Sequence, residues 1–444
     1  MSNADIATLA DEHESKHQQE TKTGSENVEA GEVERTQPRD LGDGIPDGGL
    51  LAWLQVVGAF LVFANTWGIC NTFGAYQTYY EGALLSSQSA EQISWIGSLQ
   101  PFLLLVISVL TGPFFDMGYF RSLTISGSIL MVLGVMMTSI ATEYWQIILA
   151  QGVAFGLGSG MLFTPAIAVV ATYFKKRRSF AVGISASGSS IGGVIYPIVF
   201  RQLVGSAGFG WATRAIGFIA LGTQLIALAV MRQRVVPKTN QRRALFDLSA
   251  FKNVPFLLFS FGCFMGFMGL YIPFFYISSY ALSKTTASEE LAFYFLSILN
   301  ATSTFGRIIP NFIADYIGPL NTILPCTFAS AILAFGWLGV DNVGGLLAFS
   351  IIYGFTSGTF VSLPASTVAS LTPDLTRVGT WMGMCFAAAG LGVLVGTPVA
   401  GALIDIENGV YWKAQLFCAI LILVGAVSIA AARVLRAGVK IVWA

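Results

Sequence analysis

The chain has 444 residues, of which 54% are hydrophobic and only 11% charged, against roughly a quarter charged in soluble domains. Its 24 basic and 24 acidic residues cancel to no net charge, which leaves no field to recruit nucleic acid. A water-soluble fold is excluded, and an integral membrane protein is the expectation.

Residues 1–46 are set apart. Twelve of the acidic residues lie in the first 47 positions, together with both histidines, His13 and His17, and the stretch is poor in aromatics. Such a segment cannot bury enough surface to fold and reads as a disordered cytoplasmic tail. It lacks a basic start followed by an apolar core, so it is not a secretory signal.

From Pro46 onward the chain is a series of apolar runs. A membrane helix needs about 20 mostly apolar residues, and twelve runs qualify, at 52–80, 92–115, 122–141, 145–173, 179–203, 212–232, 255–281, 290–314, 320–340, 343–371, 378–404 and 411–436. Short connections make neighbours antiparallel. One longer polar stretch, 233–254, divides the runs into an N-terminal six-helix bundle at 47–232 and a C-terminal one at 255–436, with a cytoplasmic tail at 437–444. The expected fold is thus an all-α membrane protein of twelve transmembrane helices in two pseudo-symmetric bundles. Basic residues stay on the cytoplasmic side. With the first tail inside, fifteen fall in inner loops and four in outer ones, which puts both termini in the cytoplasm.

The halves repeat at a constant offset. Asp116 and Asp315 end the second and eighth runs, Pro165 and Pro364 lie within the fourth and tenth, and Arg178 and Arg377 open the fifth and eleventh. Each pair is 199 residues apart. A duplicated six-helix unit is how alternating-access transporters place a site between two bundles. Glycines four apart, such as Gly188 and Gly192 or Gly392 and Gly396, allow close helix packing. The cysteines, Cys70, Cys263, Cys326, Cys385 and Cys418, all sit in apolar runs without metal spacing and are expected to be unpaired.

Between the second and third runs the chain reads Gly112-Pro113-Phe114-Phe115-Asp116-Met117-Gly118-Tyr119-Phe120-Arg121. This resembles the loop motif of the major facilitator superfamily, although Met117 replaces the basic residue usual after the aspartate. An aspartate at such a helix end can hold the amides or an arginine of another helix in one conformation and release them in the next. Pro46-Asp47-Gly48-Gly49-Leu50-Leu51-Ala52-Trp53 resembles the first signature of the monocarboxylate porter family. Tyr173-Phe174-Lys175-Lys176-Arg177-Arg178-Ser179-Phe180-Ala181-Val182-Gly183, continuing through Gly188 and Gly192, resembles its second. The resemblance runs from Pro46 to the end and is to the fungal branch. It implies a transporter, of monocarboxylates in some relatives, riboflavin in another and secondary metabolites in many fungal ones. The residues expected to take part in gating are Asp47, Gly112, Asp116, Arg121, Arg178, Asp315 and Arg377.

Arg307 is the most informative single residue. It precedes Asp315 by eight positions, about 12 Å along a helix at 1.5 Å per residue. A cation at that depth costs on the order of 3 kcal/mol to insert and usually marks a pathway. In relatives that carry monocarboxylates, the resemblance implies that an arginine here holds the substrate carboxylate, for which a forked guanidinium is suited. Those proton-coupled relatives also carry an aspartate where this chain has Ser303 and a lysine where it has Asn71. With Arg307, the expected substrate-binding residues are Asn71, Tyr76, Tyr196, Tyr271, Tyr276, Asn300 and Ser303.

The expectation is therefore facilitated transport or efflux of an organic anion or carboxyl-bearing metabolite by a monomer in the plasma membrane, without cofactor or metal. The rival within transport is a proton-coupled importer of monocarboxylate or riboflavin type. An enzyme is disfavoured, because the runs hold no histidine cluster, paired carboxylates or nucleophile beside a base. A receptor or scaffold that moves no solute is the remaining alternative.

Overall fold

The computed structural model describes residues 47–234, 247–373, 377–406 and 408–438, without the side chain of Asp116. The expected tail at 1–46, most of the linker and residues 439–444 lie outside the described residues. Apart from one isolated bridge between Asp405 and Val410, the described secondary structure is helical. Apolar runs this long form helices because a backbone in hydrocarbon must satisfy its own polar groups.

The first helices are α1 (Leu50–Leu84), α2 (Ala90–Asp116), α3 (Phe120–Thr138) and α4 (Tyr144–Tyr173). Two helices follow within Arg178–Val230, meeting at a kink at Gly208, with φ 81 and ψ 168. They are α5 (178–207) and α6 (209–230). The sequence expectation of a separate loop at 204–211 is corrected here, because one glycine outside the right-handed region suffices to turn the chain. Then come α7 (Val254–Lys284), α8 (Glu289–Ile317), α9 (Pro319–Gly339), α10 (343–371), α11 (Val378–Leu403) and α12 (Trp412–Ala437).

Ten helical stretches among the described residues are long and apolar enough to cross a membrane, with Arg178–Val230 counted once. Helix α8 is not among them. Its buried face carries Asn300, Ser303, Arg307 and Asn311, while Phe305, Ile309, Phe312, Ile313 and Tyr316 are exposed. That is the reverse of a soluble amphipathic helix, and it suits a helix with protein on its polar side and lipid on its apolar side.

Small residues set the closest packing. A Cβ on Gly188 or Gly192 of α5 would strike the carbonyls of Phe60 or Ala64 on α1, and one on Gly392 or Gly396 of α11 would strike those of Phe264 or Met268 on α7. The same contact thus recurs with all four residues displaced by 204, while the helix-end residues repeat at 199. Helix α1 reaches 35 residues and closes on a π-helical turn, Tyr80–Leu84, whereas α7 has 31. Helix α2 packs along α11, and α5 along α8.

Candidate substrate site

Arg307 is 1% exposed. Its Nη1 donates to the carbonyl of Ala186 on α5 over a long 3.5 Å, and its Nε has no partner. Among the described residues no carboxylate pairs with it. A buried guanidinium offers five donors, and burying them unpaired is expensive, so this arrangement suits a site that receives acceptors from elsewhere.

Other unsatisfied polar atoms surround the same α5–α8 seam. Asn71 of α1 donates to Ser189 O at 3.5 Å and leaves its Oδ1 free. Asn300 donates to Leu296 O at 3.1 Å and likewise has an unpartnered Oδ1, close against Gly193 of α5. Ser303 shares a 2.6 Å hydrogen bond with Ser190. Tyr271, at the break in α7, stacks on Trp67 of α1 with ring centroids 6.1 Å apart and planes at 13°. Its hydroxyl has no partner and it lies within electrostatic reach of Arg307. Arg307, Asn71, Tyr271, Asn300 and Ser303 therefore converge where α1, α5, α7 and α8 meet.

The other three tyrosines do not join them. Tyr76 packs its ring 4.2 Å from Phe200 and reaches Thr213 at 3.4 Å. Tyr196 donates to Asn65 Oδ1 at 2.5 Å. Tyr276 donates to Thr397 O at 3.3 Å.

The residues expected to gate lie at the helix ends near Lys175–Arg178, here termed the basic end. Asp315 reaches from α8 to the start of α5, its two oxygens accepting from the amides of Ser179 at 3.2 Å and Phe180 at 3.1 Å. Asp47 leaves its own helix uncapped and accepts from the amides of Lys175 and, at 2.8 Å, Lys176. Arg121 donates to Leu228 O, and Gly112 borders a cavity together with Arg178. Arg377 meets Asp247 at 3.2 Å and Ser249 at 3.1 Å. Hydrogen bonds from Ser249 and from Trp381 hold the Asp247 carboxyl well below the usual carboxylate range. The side chain of Asp116 lies outside the described residues.

Glu81 escaped the sequence reasoning. It lies in the last turn of α1, which faces α7: Gln77 donates to its Oε1 at 2.5 Å and Ser279 of α7 to its Oε2 at 3.4 Å. The signal in the sequence was the i, i+4 spacing of Gln77 and Glu81, which places both on one face.

Residues 56–343 match the family model described as Major Facilitator Superfamily. The chain belongs to this superfamily. An MFS-type transporter of Emericella nidulans is 47% identical over 82% of both chains. The aspyridones efflux protein of the same organism is 39% identical over 86% of this chain and 77% of its own. The agnestins efflux protein of Paecilomyces divaricatus is 40% identical over 86% and 87%. Among solved structures, a peptide transporter in complex with sulfate covers 89% of this chain and 97% of its own with TM-score 0.68 at 13% identity. A nucleoside transporter covers 86% and 99% with TM-score 0.67 at 16% identity. At such identities the likeness is one of fold. This major facilitator protein is accordingly a multi-pass membrane transporter of small molecules and not an enzyme.

Proposed function

We propose that this transporter exports an organic anion or carboxyl-bearing metabolite by alternating access, with Arg307 meeting its negative charge. The observation that carries the reading is the guanidinium of Arg307, sealed between α5 and α8 with an unpartnered Nε and no carboxylate beside it among the described residues. A buried cation with a donor to spare suits a transport pathway that carries negative charge. The efflux names of two relatives support the outward direction. In this reading α1–α6 and α7–α12 are twelve spans in two six-helix bundles, 47–232 and 255–436, that rock about the site, joined by a linker at 233–254. Helix α8 counts as a span despite its polar face, and Gly208 separates two more. The basic end faces the cytoplasm with both termini, and the protein works as a plasma-membrane monomer. The signatures around Asp47 and Lys175–Arg178 support the monocarboxylate porter branch.

The test is metabolite profiling of cells with and without the chain, comparing inside with medium, for the wild type and Arg307→Ala. The exported compound is expected to accumulate inside with Arg307→Ala at unchanged membrane expression, and Arg307→Lys retains part of the export because the fork is lost. Unchanged export by Arg307→Ala would sink the reading.

A further inference from the structure

A cavity of about 360 Å³ lies away from Arg307, at the basic end, where α2, α4, α5 and α11 converge. Pockets that bury drug-sized ligands span about 300 to 1,000 Å³. Much of its wall is carbon, from Val109, Phe115, Ile167, Ala168, Met382 and Phe386, with hydroxyls from Ser108 and Thr164 between them. Arg178 is the one cation among the lining residues, and no described lining side chain is acidic. Among the described residues its guanidinium is held by backbone carbonyls, from Nε to Phe174 at 3.3 Å and from Nη2 to Ala171 at 3.5 Å. Asp47 is the acid in electrostatic reach, and its Oδ1 is already taken by the amides of Lys175 and Lys176.

A row of rings leads from this cavity to Arg307. Phe386 on the wall lies 5.9 Å from Phe163 of α4, and Phe163 lies 5.9 Å from Trp67 of α1. Trp67 stacks on Tyr271, which is within electrostatic reach of the guanidinium. The first and last links join α4 to α11 and α1 to α7, so the row parts wherever those helices separate.

We infer that the α2/α4/α11 cavity is a loading pocket for an organic acid with a flat, largely aromatic body, and that the Phe163–Phe386 pair is the door between it and Arg307. This rests on the transport reading above for the role of Arg307. The carbon walls take the body of the molecule, Arg178 draws its anionic end, and the rings offer stacking surface along the route, a contact indifferent to detailed substitution of the ring. A three-carbon acid would leave most of the cavity to water. A neutral hydrocarbon would find no use for either cation.

The experiment is calorimetric titration of the purified full-length protein with 2-naphthoate, 2-naphthylmethanol and acetate. Wild type is expected to bind 2-naphthoate at least tenfold more tightly than either comparator. Ala168→Trp and Met382→Trp fill the cavity from α4 and from α11, and each is expected to weaken 2-naphthoate at least tenfold. Ala168→Leu, a smaller graft for the case that tryptophan is not tolerated, gives a smaller loss in the same direction. Ile129→Trp, on the exposed face of α3 and outside the cavity lining, keeps the affinity within threefold. Binding that disappears in Arg307→Ala while the cavity-filled variants bind like wild type overturns the loading pocket and leaves the transport reading standing. So does a wild type that prefers acetate or the alcohol. Failure of the transport reading shows elsewhere, as unchanged metabolite export by Arg307→Ala.

Discussion

The two ends of the molecule are closed by different means. At the end away from the basic residues, α1 and α7 meet through backbone: a Cβ on Gly74 would strike the Phe274 carbonyl, Phe73 and Phe275 lie 5.1 Å apart, and Glu81 takes a hydrogen bond from Ser279. A Cβ on Gly401 of α11 would likewise come within 3.0 Å of the Glu91 backbone. At the basic end α5 and α8 are tied by Asp315, yet α2, α4 and α11 leave a cavity of about 360 Å³. A seam made of glycine and carbonyl admits nothing, while one made of side chains opens by rotamer change. The α1–α7 seam is thus closed by backbone contact, while the α2/α4/α11 face leaves a space that side-chain movement can enlarge.

Gly74→Leu should break this contrast most severely. No side chain fits against the Phe274 carbonyl, so the sealed end is wedged open and export falls more than tenfold. In a background with the native cysteines replaced, a cysteine at Ser279 becomes reactive to an impermeant maleimide. Asp315→Ala attacks the opposite end. Losing a carboxylate over two amides at a helix start costs about 0.5 to 2 kcal/mol, and a several-fold change in export rate at retained expression is expected. Glu81→Leu removes the acceptor for Gln77 and Ser279 and should slow export a few-fold, whereas Glu81→Gln, which keeps an acceptor oxygen, stays nearer wild type in the same flux assay. Asp247→Asn is the mildest. Its tie to Arg377 is exposed, and exposed pairs contribute little, so the melting temperature moves by no more than a degree or two. Because folding lowers the proton affinity of Asp247, the stability it adds is present above the ordinary carboxylate range. It is lost only as pH falls through the depressed value, which a melting series in acid would detect.

Much of the fold was legible because membrane helices announce themselves by length and hydropathy, and the runs first read at 92–115 or 378–404 differ from Ala90–Asp116 and Val378–Leu403 by only a residue or two. Gly208 was not legible as a hinge, since a glycine in a glycine-rich stretch reads as loop until its neighbours are known to be helical. Within the site, Arg307 stood out because a charge among apolar residues has few explanations. Tyr76, Tyr196 and Tyr276 could not be sorted from Tyr271 in advance: an aromatic in a membrane helix is at home facing lipid, a partner helix or a cavity, and composition does not choose. The ring row escaped for the same reason, because Phe163 and Phe386 are 223 positions apart and each alone is an ordinary apolar residue.

The reversed face of α8 bears on how the protein is made. A segment holding Asn300, Ser303, Arg307 and Asn311 on one side is a poor candidate for autonomous partitioning into lipid, so its insertion leans on neighbours that shelter that side, α5 already synthesised and α10 still to come. Biogenesis and activity then pull on Arg307 in opposite directions: Arg307→Leu should enter the bilayer more readily and accumulate to higher yield while exporting nothing.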